Sequence, residues 1–406
     1  MKSVVTTKTV DAAGLAALLR PRTTLAVERM TAPGTFDLEA GPFRYYRRTV
    51  EVDPDHAHTV VETTTYQLAI PVWGFLFSPL VRRSVIHPPA PGATVWWLPP
   101  DRMDRRAAEV LSWLCVFSVI TGYLGVLLSQ TNTYFKSEFG STNAEISDVL
   151  IAVRLGALVS LLVVALADRR GRKKVLLWST YLAIVLTATG AFAPDLFWLG
   201  LSQGLARAFS AAIALVVLII AIEEMPAGAR AFAVSLLALT AGLGAGGVVA
   251  FLWVGDLAPW AWRIFYLVPL PFVLATRAIG RRLTETPRYT LHERQIERQI
   301  ERRSAPGNEP DTEHEPDTEP GTHATTRSDR RRRFAMLGSS ALFFNVFLAP
   351  AAGFQNEFLR TERGFSGLGI TLLQVLTNVP GGLAIVVGGG LADRHGRRLV
   401  GTIGVI

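Results

Sequence analysis

The sequence predicts an all-α transmembrane helix bundle preceded by a small α+β cytoplasmic domain. Three observations lead there. Half of the 406 residues are hydrophobic and only 18% are charged, against about 25% in soluble domains. The charge is missing from long stretches rather than thinned evenly, and residues 1–105, ahead of those stretches, are polar and mixed. A single cysteine, Cys115, excludes a disulfide scaffold and argues against a thiolate metal site.

A helix rises about 1.5 Å per residue, so about 20 residues cross a hydrocarbon core of roughly 30 Å. Leu111–Gln130, Val175–Pro194, Ala231–Gly255, Ile264–Thr276, Phe334–Asn356 and Ser366–Ala392 carry no charge. Val149–Ala167 carries only Arg154, and Leu196–Ile222 only Arg207. These eight stretches are read as eight spans. The final LVGTIGVI is read as the start of a ninth helix in a chain truncated after about eight. The first residues, MKSVVTTKTVDAAGLAALLRPRTT, are too short in apolar length for a signal peptide.

A net charge of +8 would ordinarily raise nucleic acid as a partner. Here the basic residues concentrate in alternate connections: DRRGRKK after span two, EEMPAGAR after span four, an Arg-rich stretch after span six and DRHGRR after span eight. The positive-inside rule places these loops and the amino terminus in the cytoplasm of a multi-pass plasma-membrane protein. The partners are then the lipid bilayer and a solute, with no nucleic acid.

Four parts follow: a cytoplasmic α+β domain (1–105), a six-helix bundle (106–280), a disordered cytoplasmic linker (281–333) and the start of a second bundle (334–406). In the first part, FRYYRRTVEV and HTVVETTTYQLAI flank DPDHA and read as a hairpin, with a short helix over Asp11–Arg20. LAIPVWGFLFSPLV either packs on that sheet or lies at the membrane interface with Trp73 and Phe75. The linker repeats EPDTE and holds too few apolar residues to fold.

Ionisable residues inside a bilayer are functional candidates. Arg207 lies about 17 Å along its helix from Leu196, and Gln203 shares its face four residues away. Arg207 either contacts the solute or a coupling acid, or is a structural arginine bonded between helices. Arg154 sits nearer the interface, where snorkelling suits it. Gln130, Asn132, Asn345, Gln374 and Asn378 are further polar candidates within the spans, or helix-interface glue. No catalytic constellation stands out, and no metal or cofactor is implied.

ALADRRGRKKVLL closes span two and GGLADRHGRRLVG closes span eight, 225 residues apart. An internal repeat of helix bundles is typical of secondary transporters. The sequence over roughly 107–406 resembles the major facilitator superfamily, whose hallmark is G-x-L-A-D-R-x-G-R-[KR]. Asp168, Arg169, Gly171 and Arg172 match it in the first copy, where Val164 replaces the leading glycine. Asp393, Arg394, Gly396 and Arg397 match it in the second. Glu223 and Arg230 form E-x6-R, and TETPRY, with Glu285 and Arg288, is similar to P-E-S-P-R-W, as in the sugar-porter and related organic-solute branches. The resemblance implies eight of twelve helices, and a cytoplasmic ion-pair network of Asp168, Arg172, Glu223, Arg230, Glu285 and Arg288 that latches the halves. Span one lacks an acid and span seven lacks paired glutamines, which argues against a sugar. The expected function is secondary active transport of a small organic solute by alternating access, with an anionic solute and a coupling proton both open. The second reading is a membrane-anchored ligand-sensing or binding protein using residues 1–105; an enzyme is not expected.

Overall fold

The fold is taken from a computed structural model, which describes residues 1–53, 59–89, 95, 97–99, 101–283 and 327–403. The amino-terminal part is an antiparallel five-stranded sheet in the order β1-β5-β4-β3-β2, with β1 Lys2–Thr9, β2 Val27–Ala32, β3 Thr35–Ala40, β4 Phe43–Val52 and β5 Thr59–Leu68. The expected hairpin is the β4–β5 pair, running from Phe43↔Leu68 to Val52↔Val60 with a bulge between Phe43 and Tyr45. Strands β1, β2 and β3 add to the sequence reading. The β2–β3 turn is tight, with Gly34 at φ +72°, and a Cβ there would meet the Val50 carbonyl at 2.6 Å.

Helix α1, Ala12–Leu18, is capped by Asp11, whose carboxylate accepts from Gly14 N at 2.8 Å. Helix α2, Gly74–Ile86, turns Val81 and Val85 onto Phe43, Tyr46 and Tyr66 of the sheet. The apolar segment after β5 therefore packs on the sheet through one face. The same face of the sheet also buries charge, beside the apolar cluster of Phe36, Val50 and Val60. Arg48 is fully buried and pairs with Glu28 at 2.6 Å, while Glu62 pairs with Lys8 at 2.9 Å and Arg22 at 2.6 Å.

The bundle begins with α3, Arg105–Phe139, started by the Asp104 cap on Ala107 N and stopped by Gly140 at φ +62°. Helices α4 (Asn143–Gly156) and α5 (Ser160–Arg170) form one span joined through a 3-10 turn at Ala157–Val159. Then come α6 (Arg172–Thr189), α7 (Leu196–Glu224) and α8 (Arg230–Ala250), followed by α9 (Arg263–Leu267) with α10 (Pro271–Gly280) as the sixth span. Beyond the undescribed stretch lie α11 (Arg327–Glu357), α12 (Gly367–His395) and the short α13 (Arg397–Ile403).

Seven helices among the described residues are long and apolar enough to cross a membrane. They cover seven of the eight expected stretches. The eighth, Phe334–Asn356, lies inside α11, whose basic start RSDRRRR precedes the apolar part. That helix begins within the stretch expected as linker, while 284–326 lies outside the described residues. The helices overrun their apolar stretches because the capping groups, such as Asp104 and Gly140, stand several residues beyond them.

Glycines set the closest helix crossing. A Cβ on Gly122 of α3 would stand 1.8 Å from the Ala241 carbonyl, and one on Gly244 of α8 would stand 1.9 Å from the Val119 carbonyl. The Gly-rich run of α8 thus serves contact within the chain. Helix α12 lies along the other side of α8: Thr371 donates to the Val249 carbonyl at 2.7 Å, and Gly389 abuts Ser235.

Candidate functional site

Two arginines and a glutamine converge inside the bundle. A cavity of about 180 Å³ is lined by α3, α4, α6, α7 and α11, with Arg154, Gln203 and Arg207 among its polar residues. Arg207 Nη1 donates to the Gly125 carbonyl at 3.0 Å. A Cβ on Gly125 would lie 3.1 Å from the same nitrogen, a tight approach. Gln203, one turn away on the α7 face, is buried and donates to Thr187 O at 3.4 Å. Arg154 reaches the cavity from α4, and its guanidinium comes near Gly353 of α11. No carboxylate lines this cavity among the described residues. Two guanidiniums on a void with no lining carboxylate among the described residues suit an anion better than a cation.

At the Gly140 end, polar side chains tie α3 to α11 and α12. Asn356 Nδ2 donates to Gln130 Oε1 at 2.6 Å, and Gln374 Nε2 donates to Asn356 Oδ1 at 2.8 Å. Asn132 donates to the Gly353 carbonyl at 2.9 Å. Lys136 pairs with Glu357, and Arg360 with Asp256 at 2.6 Å; Asp256 also accepts from Gly367 N at 2.9 Å. Gln130, Asn132 and Gln374 therefore meet in one interface between the two halves of the chain. Asn356, Glu357, Asp256 and Arg360 complete it and were absent from the sequence reading; their position at helix ends was the available signal. Asn345 and Asn378 lie on exposed faces and do not line the cavity.

At the Gly171 end the charges concentrate differently. Arg172, the first residue of α6, forms an ion pair with Glu223 in the last turn of α7, and both are largely buried. Arg106 at the start of α3 pairs with Glu224 at 3.2 Å. Arg230 Nε donates to Met225 O at 3.4 Å, clamping the turn between α7 and α8. Asp101 accepts from Gly228 N in that same turn at 2.6 Å. The backbone of Asp168 and Arg169 belongs to the last turn of α5, and that of Asp393 and Arg394 to the last turn of α12. Glu285 and Arg288 lie outside the described residues. The two repeat glycines adopt nearly one conformation: Gly171 has φ 94° and ψ 135°, Gly396 has φ 95° and ψ 139°. Arg172 and Arg397 each open the helix that follows. Positive φ at this sharp turn is the reason for glycine.

A multi-pass helical bundle with a repeated turn between consecutive helices and an internal cavity is the architecture expected of a secondary transporter. Residues 112–406 match the Major Facilitator Superfamily, and the chain belongs to that family. No curated protein matched the chain. The family is one of membrane transporters of small solutes and is generally non-enzymatic.

Proposed function

We propose that the protein is a secondary active transporter moving a small anionic organic solute across the plasma membrane by alternating access, with its amino terminus in the cytoplasm. The cavity lined by Arg154 and Arg207, without a lining carboxylate among the described residues, carries this reading. Arg207 spends one guanidinium nitrogen on the Gly125 carbonyl. The remaining donors suit a carboxylate or phosphate, for which a planar guanidinium is matched in geometry. Residues 1–105, 106–280, 281–333 and 334–406 serve as a cytoplasmic domain, first bundle, linker and second bundle.

The two ends of the bundle act as alternating seals. The Gln130–Asn356–Gln374 cluster with Lys136–Glu357 and Arg360–Asp256 supports a closed Gly140 end, assigned to the outside. The Arg172–Glu223 pair, with Asp168, Arg169, Gly171, Arg230, Glu285, Arg288, Asp393, Arg394, Gly396 and Arg397, is assigned to the cytoplasmic latch. The E-x6-R and TETPRY matches favour an organic-solute branch. Proteoliposome uptake with matched anionic and uncharged organic solutes, with and without a pH gradient, tests the reading. Anions should be taken up selectively and compete with one another; preference for uncharged or cationic solutes would sink it.

A further inference from the structure

We propose that α2 is a membrane foot, whose tip at Val72–Leu76 enters the lipid surface while Arg82 and Arg83 meet anionic headgroups. The height of the tip is set by two hydrogen bonds to the first membrane helix. Trp73 Nε1 donates to the Ser112 carbonyl at 3.0 Å, and Ser112 Oγ donates to the Pro71 carbonyl at 2.9 Å. Ser112 is the second residue of the uncharged stretch of α3, three residues beyond Glu109. Trp73 therefore lies at the level where a bilayer changes from headgroup to hydrocarbon. An indole with one donated hydrogen bond is suited to that level.

Beside this anchored indole the chain displays apolar surface that nothing among the described residues buries. Val72 is 57% exposed, Phe75 69% and Leu76 51%. The opposite face of α2 is spent on the sheet through Ser78, Val81 and Val85. On the outward face Phe75, Leu76 and Pro79 give way to Arg82 and Arg83, all exposed. Phe75 and Arg82 are separated by about 10 Å along the helix. That length fits an apolar tip below the headgroups with cations at their level. Val72 holds φ +66°, a backbone state that a β-branched residue rarely adopts. The turn that presents the tip is thus held by its surroundings.

The rest of the domain is fastened in the same pose. Arg44 of β4 pairs with Glu109 of α3 at 2.8 Å, and Arg102 donates to the Thr23 carbonyl. The sheet therefore cannot turn the tip away without breaking contacts to α3. The proposal depends on α3 crossing a bilayer and is independent of any solute.

Lipid contact can be read on the full chain in nanodiscs. The one native thiol, Cys115, is buried, so an introduced surface cysteine is labelled selectively. A bimane probe at Phe75→Cys is compared with one at Glu51→Cys, which lies roughly 23 Å along β4 from Arg44. The Phe75→Cys probe should be quenched by brominated lipid and shielded from aqueous iodide, and the Glu51→Cys probe the reverse. With Arg82→Glu and Arg83→Glu added, lipid quenching at position 75 should fall in anionic discs and stay level in zwitterionic ones. Equal iodide access at both positions overturns the foot. Shielding from iodide without lipid quenching also overturns it, since a protein surface would then cover the tip. An unchanged signal in the doubly charge-reversed chain overturns the headgroup contact.

Discussion

Arg207 meets a carbonyl from α3 on one side and an open cavity on the other. A hydrogen bond to a charged group contributes about 1.5–3 kcal/mol. Arg207→Ala should therefore weaken solute affinity roughly 10- to 100-fold while membrane insertion persists, as measured by transport KM beside the yield of folded protein. Unchanged KM would return Arg207 to a purely structural role. The amino-terminal sheet holds a different buried arginine. Arg48 is bonded to Glu28, to the carbonyls of Leu18 and Arg20, and lies 4.0 Å from the Phe36 ring centroid. Breaking such a buried pair from one side costs about 3–5 kcal/mol. In Arg48→Met, hydrogen exchange at β4 and β5 should accelerate while exchange in α3 does not.

Glu28 also sets an acid limit for the sheet. Burial pushes its carboxyl up, but the hydrogen bonds and charge of Arg48, with Tyr46 and the Arg22 amide, hold it below the ordinary 4.5. Burial and then the Glu28 charge push the Tyr46 hydroxyl up, so it stays a donor. Because the folded carboxyl binds its proton less readily than the unfolded one, this contribution is complete above about pH 4.5. It is lost as pH falls through the folded value. Tryptophan-independent exchange measurements on β4 at pH 7 and near pH 3 should show the sheet loosening at the lower value, and Glu28→Gln should flatten that dependence.

At the scale of elements, the α3–α8 crossing separates glycines that matter from glycines that do not. A side chain at Gly122 or Gly244 would run into backbone, whereas Gly242 and Gly246 have nothing within 4 Å of a built Cβ. Gly244→Leu should lower the thermal midpoint in detergent sharply, because overpacking costs about 1–3 kcal/mol or more where backbone cannot yield. Gly246→Ala should leave it in place. A glycine-rich run was visible in the sequence, but which of its members face a partner depends on the rotation of α8, and that is set by packing. The strands divide in the same way. β4 and β5 were legible from their Val, Thr and Tyr content, whereas VERMTA and TFDLEA have no place in the sequence reading; Glu28 and Phe36 within them are buried against Arg48 of β4. Tertiary burial there overrides weak local preference.

Across the whole molecule, the helices are tied by different chemistry at the two ends of the bundle. Uncharged amides with a few ion pairs join α3, α11 and α12 at one end, and buried ion pairs join α3, α6 and α7 at the other. The pairs at the Gly140 end are partly exposed, so each is worth about 1 kcal/mol or less. Asp256→Asn with Lys136→Ala removes both, about 2 kcal/mol at most, and should shift the balance between open and closed Gly140 ends by roughly 30-fold at most. Spin-label distances between the Gly140 turn and the Gly364 turn should broaden accordingly; an unaltered distribution would deny that end a sealing role.

Read along the chain alone, the residues establish repeated membrane crossings, a DRxGR turn in each of two related parts, and apolar neighbours around Arg154 and Arg207. These are one-dimensional facts: charge exclusion over 20-residue windows and a repeat at equivalent places. Only the tertiary structure decided that Arg154 and Arg207 share a cavity, that Gln130 meets Gln374 through Asn356, and that Trp73 is moored at Ser112. Those pairings join residues from 39 to 244 positions apart. Helical periodicity places a residue on a face, but which faces meet depends on helix rotation and tilt, and close contacts such as Gly122 on Ala241 settle both.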